Sequence, residues 1–180
     1  MKILINNEIL KFSKDDFPML INGTNKSGAS FFSISLLANF FEAGEKVILF
    51  SAYPPAKEEF RKQLGNSINE NAKIIDSGEE ELFIDKLGQI QNLEERIILI
   101  KNVEKYSQNL FFKLKKQKFI IFSGDIDKCE FVDYLDKKDF KTKIFFSYSK
   151  KIKVTNKIEL PKYNGLIINN RHNGLVTLAP

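Results

Sequence analysis

The stretch Gly23-Thr24-Asn25-Lys26-Ser27-Gly28-Ala29-Ser30 lies between a strand signal and a helix signal. Before it, Pro18-Met19-Leu20-Ile21 is a short apolar run of the kind that makes a buried strand. After it, Ser30 to Glu42 carries Phe31, Ile34, Leu36, Leu37, Phe40 and Phe41 at helical spacing, and Gly44 stands just past the end. The octapeptide is therefore a glycine-bounded turn from strand into helix. Glycines let backbone N–H groups turn inward around an anion, and the positive end of the following helix adds attraction.

Outward from this loop the same alternation repeats. Lys46 to Phe50, Ala72 to Ile75, Ile97 to Ile100, Phe119 to Phe122 and Ile144 to Phe146 read as strands. Helical patterns separate them at Pro54 to Leu64, Glu79 to Gln89, Leu110 to Leu114 and Phe131 to Leu135. Ile97-Ile98-Leu99-Ile100 has no polar alternation, so both faces should be buried, as in a parallel strand with helices on each side. Strands alternating with helices predict an α/β fold, a three-layer α/β/α sandwich with a mostly parallel central sheet. The tail departs from this. Leu166-Ile167-Ile168 and Leu175 to Leu178 flank Asn169 to Gly174, which predicts a C-terminal β-hairpin. The expected organisation is one domain over 1–180: an N-terminal hairpin or strand extension over 1–17, an α/β core over 18–150 and antiparallel strands over 151–180.

Composition fits this and narrows the function. Of 180 residues, 43% are hydrophobic, enough for a core between helices and a sheet. No apolar run approaches the length of a membrane span, so no membrane contact is expected. One cysteine (Cys129) and one histidine (His172) argue against structural zinc, and no metal-ligating set is expected. A reducing cytoplasm is the expected setting. The net charge of +5 comes from 28 basic residues interspersed with 23 acidic ones, which suits a lysine-rich solvated exterior. Nucleic acid remains a second reading of that charge, with Phe111-Phe112 among Lys113, Lys115, Lys116 and Lys118 as the stretch that would serve it. An amphipathic helix with its lysines in water explains the same residues.

The octapeptide also matches G-x-x-x-x-G-K-[ST], the phosphate-binding P-loop, at Gly23, Gly28 and Ser30, whose hydroxyl would ligate magnesium. Position 29 should be lysine and is alanine. With Leu36 to Val47, Leu49 to Pro54 and the tail from Pro161 to Gly165, the chain resembles the RecA-like branch of P-loop ATPases, in particular its KaiC and RadA-like single-domain type. That resemblance implies ATP and magnesium as ligands, and assembly into rings or filaments. It also implies three catalytic elements, and each is replaced. Ala29 stands for the lysine that compensates the β/γ-phosphates. Tyr53 and Pro54 stand where a water-orienting glutamate is expected. Lys101 and Asn102 follow the strand that should end in a magnesium-binding acid.

No residue is therefore expected to be catalytic, and no cofactor to be required. Gly23, Thr24, Asn25, Lys26, Ser27, Gly28, Ala29 and Ser30 are the candidate nucleotide-binding residues, with Tyr53, Asn102 and Ser123 lining the site. The expected role is a non-hydrolysing binding, assembly or regulatory subunit, partnered by an active ATPase relative or by copies of itself. An ATPase in which Lys26 replaces the missing lysine is the enzymatic alternative, and a nucleic-acid-binding module of the recombination type is the third. Glu104 is expected to be a solvated turn or helix-start residue, Asp125, Asp127, Asp133, Asp136 and Asp139 a solvated face, and His172 a turn residue.

Overall fold

A computed structural model describes the chain except at residues 1, 6–7, 25, 52, 66–69, 76–79, 115–116, 132, 134–139, 147–163, 170–172 and 180. Among the described residues the strands are β1 (Lys2–Ile5), β2 (Glu8–Ile9), β3 (Met19–Asn22), β4 (Val47–Phe50), β5 (Ala72–Ile75), β6 (Ile97–Lys101), β7 (Ile120–Gly124), β8 (Thr142–Phe145), β9 (Asn164–Asn169) and β10 (Asn173–Ala179). The helices are α1 (Ala29–Glu42), α2 (Pro54–Leu64), α3 (Glu80–Gly88) and α4 (Gln108–Leu114). Short 3-10 turns at Val103–Lys105 and Ile126–Lys128 follow β6 and β7.

All strands join one sheet in the order β2-β1-β10-β9-β8-β3-β7-β6-β4-β5. From β8 to β5 every neighbouring pair is parallel. From β8 to β2 every pair is antiparallel, with β9 and β10 aligned Asn173 to Ile168 and β1 aligned on β10. The turn at 170–172 and most of the helix expected over Phe131 to Leu135 lie outside the described residues. The sheet is thus parallel for one half and antiparallel for the other, and β3 sits inside the parallel half.

Side-chain alternation divides the core in two. Met19, Ile21, Val47, Leu49, Ile97, Leu99, Ile121 and Ile144 point to the face covered by α1 and α2, where Phe32, Leu36, Leu37, Phe40 and Phe60 meet them. Leu20, Ile48, Phe50, Ile98, Ile100, Ile120 and Phe122 point the other way, onto Phe83 of α3 and Leu110, Phe111 and Leu114 of α4. This is why β3, β4 and β6 read as unbroken apolar runs: each residue has a buried face to fill. Helix α1 lies deep, burying even Ser33 and Ser35, and its Ser33 hydroxyl donates back to the Ser30 carbonyl at 2.9 Å. Pro54 and Pro55 open α2, where a missing N–H costs nothing.

Leu99 has no exposed surface and lies in the middle of this packing. Leu99→Ala is expected to lower the unfolding free energy by about 2–5 kcal/mol in urea denaturation. Ile168→Ala, at a position 39% exposed, is expected to change it by about 0.5 kcal/mol or less.

Candidate functional site

Parallel strands present their carboxyl ends on one edge, and ligand sites of open α/β sheets form there. Here the segments after β3, β4, β6 and β7 enclose a cleft of about 490 Å³. Gly23, Thr24, Lys26, Gly28, Ser30 and Phe31 line it from the first loop. Tyr53 follows β4, Lys101, Asn102 and Glu104 end β6, and Gly124, Asp125 and Lys128 come from the end of β7. Three hydrogen bonds hold the loop's root. The Ile126 N–H donates to Asn22 Oδ1 at 3.0 Å. Gly23 N–H donates to the Gly124 carbonyl at 3.0 Å, and Phe146 N–H to the Asn22 carbonyl at 2.8 Å.

The loop curls as its glycines allow. Gly28 caps α1 at φ +99°, and Lys26 takes a left-handed φ of +67°. Phe32 N–H returns to the Gly28 carbonyl at 2.9 Å, starting the helix. Inside the curl the chain partly satisfies itself. The Ala29 N–H points at Ser27 Oγ, 3.4 Å away, and Ala29 is buried with its methyl group toward Gly23. A side chain on Gly23 would collide with both Ala29 Cβ and Ser27 Oγ. Ser27 Oγ thus occupies part of the loop's interior. At 3.4 Å its hydrogen bond is weak.

The opposite wall holds the feature that sequence reading missed. Lys101 is 3% exposed, and its Nζ donates to Ser123 Oγ at 3.1 Å. Register explains the pair: Lys101 lies opposite Ser123 in the parallel β6–β7 ladder, so both project to the α1 face. Burial pulls the Lys101 ammonium from the usual 10.5 down to about 8, partly opposed by the Glu104 carboxylate. That carboxylate is otherwise engaged. It accepts from Asp125 N–H at 3.1 Å and, more loosely, from Asn102 Nδ2 at 3.5 Å. Asp125 in turn pairs with Lys128 at 2.9 Å, which raises the exposed Lys128 above its ordinary value. Asn102, at φ +58°, keeps Oδ1 buried without a hydrogen-bond partner among the described residues.

Several expectations are corrected by this geometry. Ser123 is wholly buried: it accepts a hydrogen bond from Lys101 and is not among the residues that line the cleft. Glu104 is not a solvated turn residue but a cleft-wall acceptor packed over Gly124. Asp125 is half-buried and bridges that wall, so it is no solvated face. The face that Lys101 takes was legible; its burial was not. Strand residues alternate, so Lys101 follows Ile97 and Leu99 onto the α1 face, where the loop begins. Tyr53, Asn102 and the loop residues other than Asn25, Ser27 and Ala29 do line the cleft. Asn25, Asp136, Asp139 and His172 lie outside the described residues.

Neither protein-family models nor curated proteins match the sequence. Among solved structures, the chain is similar to the pCW3 conjugation coupling protein TcpA, monomer form, with ATPγS. The TM-score is 0.58 at 13% identity, over 97% of this chain and 64% of the other. The chain therefore spans less than two thirds of that protein's length. At such identity the likeness is one of fold alone, an α/β fold with a mostly parallel sheet. Among the described residues no helix is long and apolar enough to cross a membrane.

The buried ammonium has a measurable signature. Below about pH 8 both folded and unfolded chains hold the Lys101 proton, and the full cost of burying charge is present. Between about 8 and 10.5 the unfolded chain binds more protons, so this group makes stability rise with pH by about 3 kcal/mol in total. Lys101→Met is expected to raise stability at neutral pH by about 1–3 kcal/mol, the lost Ser123 hydrogen bond offsetting part of the gain. That advantage should disappear near pH 10.5 in urea denaturation series. A loss of stability independent of pH would count against it.

Proposed function

We propose that this chain is a RecA-like, three-layer P-loop domain that does not hydrolyse nucleotide and serves as a binding or assembly subunit. The observation that carries the reading is Lys101 Nζ, buried at the end of β6 where metal-dependent hydrolysis needs a carboxylate. An ammonium there repels magnesium. Two further substitutions point the same way. Ala29 brings a methyl group to the loop's interior, and Tyr53 and Pro54 offer no base. Groups that hold phosphate, water and metal each supply several kcal/mol of transition-state stabilisation, so losing all three removes useful turnover.

A surface suited to a partner supports the assembly half of the reading. On the antiparallel wing of the sheet, Ile167 and Val176 pack inward beside α1's core. The opposite face presents Ile9, Ile168 and Leu175, exposed by 55%, 39% and 44%. Their alignment through β2, β1, β10 and β9 puts them on one face, and apolar side chains grouped on such a face suit a protein partner or a second copy.

The enzymatic alternative rests on Lys26, an exposed residue on the cleft wall. Phosphate release from ATP with Mg²⁺ separates the two readings. Turnover indistinguishable from buffer is expected for the purified chain. Magnesium-dependent turnover abolished by Lys26→Ala would establish the alternative instead.

A further inference from the structure

Resting on the reading of this cleft as a non-hydrolysing nucleotide site, we infer that it takes a nucleoside polyphosphate without a divalent metal, Lys101 supplying the positive charge. The charge that P-loops place on the loop itself has here moved to the opposite wall, on β6.

The hydrogen-bond inventory of the buried ammonium leads to this. An ammonium carries three donors. Among the described residues Lys101 spends one, on the neutral Ser123 hydroxyl, and forms no ion pair. The carboxylates nearby are committed elsewhere: Glu104 to Asp125 N–H and Asn102, and Asp125 to Lys128. A buried charge with one neutral partner is unfavourable until an anion completes it. Lys101 lines the cleft together with Gly28 and Ser30 at the opening of α1, whose first amides the helix does not satisfy internally, the Ala29 N–H having only a weak contact to Ser27 Oγ at 3.4 Å. An anion between these walls would meet the ammonium on one side and backbone donors on the other. The remaining charges around it are Lys26 and Lys128, with Glu104 and Asp125, so the two acids leave the cleft cationic.

Magnesium is disfavoured in this arrangement. A divalent ion bound to the Ser30 hydroxyl and to the phosphates would sit beside the Lys101 ammonium and be repelled by it. The rim identifies the rest of the ligand. Phe31 and Tyr53 border the cleft 43% and 47% exposed, and solvent-facing rings at the mouth of a phosphate site suit a stacked base.

Calorimetric titration of the full chain with ATP, and separately with pyrophosphate, in EDTA and in Mg²⁺ tests this. ATP is expected to bind in EDTA within about threefold of its affinity in Mg²⁺, and more tightly than pyrophosphate. Lys101→Met should weaken it by about tenfold or more and Lys101→Arg by about threefold or less. Should the Met variant fail to fold, the wild type still decides. Its affinity should fall by about tenfold between about pH 7.5 and about pH 9.5, as the ammonium loses its proton while the phosphates stay ionised. Absence of ATP binding in EDTA overturns the inference, as does a Lys101→Met variant that binds like wild type. Pyrophosphate binding as tightly as ATP overturns the nucleoside part. Binding that needs Mg²⁺ without hydrolysis sinks this inference and leaves the non-hydrolysing reading intact, whereas hydrolysis sinks that reading itself.

Discussion

Parallel pairing of β3 between β7 and β8 is the constraint on which the rest of this molecule depends. A parallel ladder cannot be closed by a tight turn, so every crossover must leave the sheet, and the helices that carry it bury both faces. It also aligns the strands' carboxyl ends. Asn22, Gly124 and Phe146 meet there through the hydrogen bonds that root the glycine loop. The cleft follows from that convergence, since four segments distant in sequence have nowhere else to end.

Within the cleft, one charge organises the wall opposite the loop. Lys101 enters the interior because the β6–β7 register puts it opposite Ser123, and its burial carries a cost that the visible contacts do not offset. Glu104, whose charge draws the ammonium's pKa upward, is held off by Asp125 N–H and Asn102. Gly124 is needed at this point. A Cβ there would approach Val103 N to 2.8 Å and strike the Glu104 carboxylate, so the 3-10 turn of Val103–Lys105 packs against bare backbone. The acids and bases of the site form an interlocked arrangement in which, among the described residues, no carboxylate makes an ion pair with the ammonium.

The antiparallel wing follows different physics. Its strands have one face on the α1 side of the core and one toward Ile9, Ile168 and Leu175. Such strands alternate in burial, as β9 does from Asn164 to Asn169. That alternation is weaker than the continuous apolar runs of β3, β4 and β6. Leu166 to Ile168 alone could pass for a buried strand, and its exposure becomes evident from its neighbours.

What the sequence determined by itself was the alternation of elements and the loop's local character. Apolar runs at Leu20-Ile21, Val47 to Phe50 and Ile97 to Ile100, with helical periodicity after Ser30, are nearest-neighbour properties that burial and φ/ψ preference impose locally. Glycine at 28 belongs to the same class, because its left-handed φ requires it whatever packs around the turn, whereas Gly23 is held to glycine by the side chains of Ser27, Ala29 and Phe146 packed against it. The loss of lysine at position 29 was also visible, as was the absence of acids at 53 and 101. Tertiary structure alone decided what replaced them. Strand order set which strand ends became neighbours, and inter-strand register brought Lys101 to Ser123 across 22 residues. Whether a lysine at a strand's end meets water or the interior depends on what that end packs against, and no local pattern carries this information.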